Sequence, residues 1–115
     1  MSDPEVLRYR APRARIAVAY SSKDRLELTR RSVTPLINDP DIDLYWFDGS
    51  ATEAGQLLPF ALCEASAAIC ELHRNVVGGP DCAILYALGA LRAQAYDFVI
   101  LVENDVLLEG LDGNL

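Results

Sequence analysis

Three short polar sequences each follow an apolar run, and each carries residue types that bind cations, phosphates or hydroxyls. Glu103-Asn104-Asp105 follows the run 98–102, Asp48-Gly49-Ser50 follows Leu44-Tyr45-Trp46-Phe47, and Ser21-Ser22 follows Ile16-Ala17-Val18-Ala19-Tyr20. Two acids one residue apart on extended chain face the same side. Such a pair, Glu103 with Asp105, suits a hard divalent cation such as Mg²⁺ or Mn²⁺, which takes oxygen ligands and bridges to substrate phosphates. The cation would neutralise a diphosphate and stabilise it as a leaving group. Asp48, emerging from an apolar run, can accept a hydrogen bond from a base N–H or a ribose hydroxyl. Tyr20, at the end of its run, can stack on a base. Gly78-Gly79 would let backbone approach a phosphate closely, although the pair fits neither the dinucleotide nor the Walker glycine pattern. The same residues also have plainer readings: solvated acids at a strand end, a turn with a helix cap at Asp48-Gly49-Ser50, and an ordinary glycine loop.

The elements that must position these groups alternate. The run 15–20 reads as a parallel strand covered on both faces. Ser21 and Asp24 have the spacing of a capping box, and Leu26, Thr29, Val33, Leu36 and Ile37 then follow at helical intervals, with Pro35 placed to kink or shorten the helix. Residues 42–47 form a second strand. Ser50 and Glu53 repeat the capping spacing before a helix carrying Leu57, Leu58, Ala61, Leu62 and Ala65. A third strand is expected over 67–72, a loop over 73–80, and a third helix opening at Pro80 with Ile84, Ala87, Leu88, Leu91 and Ala95 on one face. The fourth strand, 96–102, delivers Glu103. This β-α-β-α-β-α-β order predicts a Rossmann-like three-layer α/β/α fold with a mostly parallel sheet, whose ligand site lies beyond the carboxyl ends of the strands. Residues 1–14, with Pro4, Pro12 and several arginines, read as a flexible N-terminal leader ahead of a single domain at 15–115.

Composition narrows the function classes. Residues 1–31 hold eight basic and four acidic side chains, and the rest of the chain holds two basic and thirteen acidic. So acidic a body repels nucleic acid, which needs a basic face. It can still hold a phosphate-bearing ligand through a divalent cation. No apolar run approaches the ~20 residues of a membrane helix. The three cysteines include no CxxC pair, which argues against a disulfide framework or a zinc site and for a cytoplasmic protein whose thiols are small buried hydrophobes. His73 is the sole histidine and reads as a strand-end or loop residue.

Taken together, 16–25, 46–52, Asn75 with Gly78-Gly79, and 98–105 resemble the N-terminal, nucleotide-binding half of family 2-like GT-A glycosyltransferases. The resemblance covers residues 15–109. It implies that the chain binds a nucleotide-diphosphate sugar (a UDP- or GDP-sugar) with Mg²⁺ or Mn²⁺. Tyr20 and Ser22 would lie near the base, Asp48 would bond to the base, and Gly79 would approach the nucleotide. Glu103 and Asp105 would hold the metal in the place of the family's DxD, with Asp105 the principal ligand. Glu103 is one methylene longer than the aspartate of that motif, and the segment Asp81-Cys82-Ala83 lacks the basic residue common there.

No residue matches the catalytic base, which the family draws from its second half, so the chain is expected to stop before the acceptor-binding half. The competing reading is a non-catalytic remnant acting as an interaction module, whose uncovered sheet edge would favour homo-oligomers. A receiver-like domain is disfavoured, because Lys23 is the only lysine and follows the first strand.

Overall fold

The computed structural model describes residues 4–64, 66, 68–77, 80–91, 94 and 96–104. They form five strands, β1 (Glu5–Arg8), β2 (Ile16–Ser22), β3 (Ile42–Asp48), β4 (Ile69–Arg74) and β5 (Phe98–Glu103), and three helices, α1 (Leu26–Ile37), α2 (Glu53–Cys63) and α3 (Pro80–Tyr86). A π-helical turn, Ala87–Leu91, extends α3. The strands make one sheet in the order β1-β4-β3-β2-β5. Three pairings are parallel and β1 runs antiparallel to β4. The sheet is therefore mixed, where the sequence pattern leads one to expect a mostly parallel one.

The antiparallel strand comes from the segment read as a leader. Glu5-Val6-Leu7-Arg8 is too short and too charged at its ends to register as apolar alternation. Arg10 anchors the chain just beyond β1: its Nη2 donates to the carbonyls of Ile42 at 3.1 Å and Ala68 at 3.0 Å. The same nitrogen lies 2.8 Å from Asp43 Oδ1, an ion pair at this end of the sheet.

Alternate residues of the strands feed two apolar clusters. Val18, Tyr20, Leu44, Trp46, Leu72 and Val102 pack with Val33, Leu36 and Ile37 of α1 and Cys63 of α2. Ala17, Ala19, Tyr45, Phe47 and Cys70 pack with Ala83 of α3 and with Ala87 and Leu91. The small alanines of β2 give α3 a close seat on that side. β3 is central and buried along its whole length, and so are the aspartates at its two ends, Asp43 and Asp48. No helix among the described residues is long and apolar enough to cross a membrane.

Two helix starts differ from the capping pattern. β2 runs through Ser22, so Ser21 caps nothing. α1 begins after Asp24 and Arg25, both in the left-handed region at φ 53° and 49°, and Arg25 supplies no side-chain cap. The cap of α2 is Thr52, whose hydroxyl accepts from Gly55 N, rather than Ser50. The spacing of α1 is otherwise as expected, with Thr29, Val33, Leu36 and Ile37 buried. Leu26 is exposed, and Ser32 is buried because its hydroxyl meets Tyr20 OH at 2.6 Å. β4 begins two residues later than the pattern suggests and takes in His73.

Candidate functional site

The carboxyl ends of β3, β2 and β5 lie side by side. Ser22 is in register with Asp48, and Ser21 stands between Phe47 on one strand and Glu103 on the other. The three polar strand ends are thus direct neighbours. They also stand where the strand order reverses: from β2 the chain steps to β3 and β4 on one side, then returns to β5 on the other. In open α/β sheets the crossovers diverge at such a point and leave a crevice beyond the strand ends. Here a cavity of about 290 Å³ opens there, with Ser21 and Glu103 as its polar groups and Ala19, Ala83, Ile84 and Leu101 among its walls.

Asp48 lies behind this opening. Its Oδ1 accepts the hydroxyls of Ser22 at 3.0 Å and Ser50 at 2.7 Å, and Trp46 Nε1 donates to Ser22 Oγ at 2.8 Å. Burial pushes the Asp48 carboxyl above its ordinary range, and the hydrogen bonds from Ser50 and Ser22 offset part of that effect. The backbone at this end is tied as well. Gly49 N donates to Ser22 O at 2.9 Å, and Val76 N to Asp48 O at 3.1 Å. Gly49 is required there, since a Cβ would stand 2.8 Å from Val76 O.

Asp24 closes the rim from the β2 side. Its carboxylate accepts Ala51 N at 3.1 Å, Thr52 N at 3.1 Å and Thr52 Oγ1 at 2.6 Å, and its own N–H donates to Ser50 Oγ at 2.8 Å. The N–H groups of the cap residue and of the residue before it are therefore occupied by a carboxylate of the chain itself, and in the first turn of α2 the N–H of Gly55 is taken by the Thr52 hydroxyl. On the α1 side, Asn104 Nδ2 donates to Thr29 Oγ1 at 3.1 Å and fixes the end of β5 to the first turn of that helix.

Of the residues read from the sequence as nucleotide contacts, Ser22, Asp48 and Glu103 come together. Ser22 and Asp48 are buried and bonded to each other, while Glu103 is exposed at the cavity. Tyr20 is not at the rim. It is fully buried, its ring meets Trp46 edge-on at 5.5 Å, and its hydroxyl lies under α1 against Ser32. An alternating strand that presents Ser21 to the cavity turns Tyr20 to the opposite face, so it cannot stack on a ligand. Gly79 and Asp105 lie outside the described residues. Asp24, Ser50, Thr52 and Asn104 were not read as a network from the sequence. Thr52, a good capping type three residues before Gly55, carries a local signal that matches its role, whereas the capping-box spacings of Asp24 and Ser50 point to other partners.

The donor set facing the cavity consists of hard oxygens. Glu103 is its one carboxylate among the described residues, and these residues include no group of three His, Cys, Asp or Glu able to hold a metal. Mg²⁺ is commonly held by one or two carboxylates, with water and phosphate completing its shell, and the described residues supply one carboxylate here. No Ser–His or Cys–His pair occurs at this end of the sheet among the described residues. No family model, curated protein or solved structure matches the chain.

Proposed function

We propose that the chain is a donor-binding domain of a GT-A-type glycosyltransferase, with a Rossmann-like α/β/α arrangement, that holds a nucleotide-diphosphate sugar through Mg²⁺ or Mn²⁺ in a cytoplasmic setting. The observation that carries this reading is the register of Ser21, Ser22, Asp48 and Glu103 on three adjacent strand ends, at the reversal of strand order. In this reading Glu103, with Asp105 following it, holds the cation. The cation's chemistry is to offset the negative charge of the diphosphate, including the charge that grows on it as a leaving group. Ser21 offers a hydroxyl to the phosphates or sugar. Asp48 and Ser22 shape the base end as a bonded pair, with Asp48 offering the acceptor. Tyr20 supports them from beneath through Trp46. Burial pushes the thiols of Cys63 and Cys70 up to about 12, so neither is suited to act as a nucleophile in this reading.

Calorimetric titration of UDP and GDP, with and without Mn²⁺, tests the reading. Binding of one nucleotide that requires Mn²⁺, and that is lost in Glu103→Ala and in Asp105→Ala, is the expected result. A folded chain that binds neither nucleotide, or binds one equally well without metal and in both variants, would overturn it.

A further inference from the structure

The carboxyl ends of β2, β3 and β5 present acids, Asp24, Asp48 and Glu103, to a ligand that would itself be anionic. A carboxylate, one divalent cation and a diphosphate still sum to a negative charge, so a cationic side chain at this end would strengthen binding. Most of the basic side chains are engaged elsewhere. Arg10 and Arg15 pair with Asp43 and Asp97 at the amino end of the sheet, and Arg74, the last residue of β4, pairs with Glu5. Two cations follow the carboxyl end of β2, Lys23 and Arg25, and both are exposed. Among the described residues neither has a carboxylate within ion-pair distance.

Strand alternation separates these two. Ser21 faces the cavity, Ser22 turns to Asp48 and Trp46 on the opposite side, and the next step returns Lys23 to the side of Ser21. The strand keeps its ladder to the end, since Gly49 N donates to Ser22 O at 2.9 Å. Only beyond Lys23 does the chain turn left-handed, at Asp24 and Arg25, and enter α1, which packs on the other face. Glu103 is the register partner of Ser21, so strand spacings set the Cα atoms of Lys23 and Glu103 roughly 8 Å apart. A lysine and a glutamate at that separation can close an ion pair, yet among the described residues Glu103 has no cationic partner. Opposite charges held apart on one face flank a space suited to a metal ion on the acid side and an anion on the basic side.

The backbone beside Lys23 is fixed. Asp24 spends its carboxylate on Ala51 and Thr52, its N–H on Ser50 Oγ, and its carbonyl on Thr29 Oγ1 at 2.9 Å. The acid next to Lys23 in sequence is thereby turned to α2 and does not neutralise the ammonium. Contact with a ligand then has to order the lysine side chain alone, which keeps the entropic cost low. We infer that Lys23 is the phosphate-contacting residue of the site, its ammonium set against the diphosphate while Glu103 holds the divalent cation. This inference rests on the nucleotide-diphosphate reading above. An ammonium is a compact charge with three rotatable donors, which suits phosphate oxygens without demanding one geometry.

Isothermal titration with UDP, GDP and inorganic pyrophosphate, each with Mg²⁺ at physiological salt, tests the assignment. The wild type is compared with Lys23→Gln, Lys23→Arg and Arg30→Gln, all checked for folding by circular dichroism. In Lys23→Gln the preferred nucleotide and pyrophosphate should both bind about tenfold more weakly or worse, the size of a lost hydrogen bond to a charged group. Lys23→Arg keeps the charge and should stay within about threefold of the wild type. Arg30→Gln removes an equal charge from the exposed side of α1, and should change binding by about twofold at most, because salt screens charges beyond about 8 Å. A Lys23→Gln chain that binds its nucleotide as the wild type does overturns the inference and leaves the nucleotide reading standing. An Arg30→Gln chain that loses as much as Lys23→Gln also overturns it, since the effect is then one of overall charge. Binding of pyrophosphate through Lys23, with neither nucleotide bound, upholds the inference and overturns the nucleotide reading. A wild type that binds none of the three overturns both.

Discussion

Asp24 and Thr52 follow different strands, yet the Asp24 carboxylate holds both the Thr52 backbone N–H at 3.1 Å and the Thr52 hydroxyl at 2.6 Å. The loop after β2 thereby caps the helix that follows β3, and two strand ends become one rim. The Thr52 hydroxyl, then the N–H groups of Thr52 and Ala51, hold the Asp24 carboxyl below its ordinary value of 3.8. A depressed folded value means that the carboxylate's contribution to stability is present above pH 3.8 and is lost as the pH falls through the lower, folded value. Asp24→Ala should cost about 1 kcal/mol at neutral pH, the size of a lost helix cap. Urea unfolding of wild type and variant at neutral and strongly acidic pH checks this: the gap should close in acid.

Asp48 carries the opposite sign. Burial raises its carboxyl above 3.8, so its contribution is fully present below that pH and is lost as the pH rises through the raised value. At neutral pH the fold therefore bears a charge it would shed. Asp48→Asn removes the charge and keeps an acceptor for Ser22 and Ser50, so its melting temperature at neutral pH should equal or exceed that of the wild type, with the advantage vanishing in acid. Asp48→Ala should instead lose about 1–3 kcal/mol, because it leaves buried hydroxyls without their acceptor. Thermal melts of both variants across pH decide the matter. An Asp48→Asn protein that is clearly less stable at neutral pH would contradict it.

At the other end of β3, Asp43 organises the N-terminal segment. Its Oδ2 accepts Tyr96 OH at 2.7 Å, Arg13 N at 2.9 Å and Ala14 N at 3.1 Å. Burial alone would raise this carboxyl, but the bonds from Tyr96, Ala14, Arg10 and Arg13 outweigh it and leave the carboxyl below its ordinary value. Arg10→Ala removes one partner of a buried pair and the donor to two backbone carbonyls. The expected loss is about 3–5 kcal/mol, together with new tryptic cleavage at Arg8 and Arg13 under native conditions. An Arg10→Ala chain as resistant to trypsin as wild type would show that the segment is held by β1 alone.

How much of the fold and site is legible in the sequence depends on the range of the interactions. Apolar runs such as Leu44-Tyr45-Trp46-Phe47 are local, and the strand they imply is there. That these strands end together at Ser22, Asp48 and Glu103 also comes from the alternation of elements. The antiparallel strand at Glu5–Arg8 has no comparable run, and its order depends on β4 and on Arg10 reaching Asp43. The same holds for Asp24. Its spacing from Ser21 mimics a capping box, but β2 extends through Ser22, and a left-handed turn at Asp24 and Arg25 aims the carboxylate at a helix 28 residues away in sequence. Tyr20 faces α1 while its neighbour Ser21 faces the cavity, and a strand apolar on both faces carries no local signal of which face a given residue takes.

Gly55 and Gly89 make a matched test of how tightly the rim is packed. In a helix, alanine for glycine ordinarily stabilises by about 1 kcal/mol, because the unfolded chain loses freedom. Gly55 sits in the first turn of α2, where a Cβ would stand 2.5 Å from Asp24 Oδ1 and 2.8 Å from Ser50 Cβ. Asp24 is held there by three hydrogen bonds and cannot withdraw without uncapping the helix. Gly55→Ala should therefore destabilise by about 1–3 kcal/mol and weaken any ligand bound at the rim. At Gly89 a Cβ meets nothing within 4 Å, and Gly89→Ala should stabilise by about 0.5–1 kcal/mol. Melting temperatures of the two single variants measure both signs in one experiment. A Gly55→Ala protein that melts higher than wild type would mean that Asp24 does not hold the α2 cap in solution.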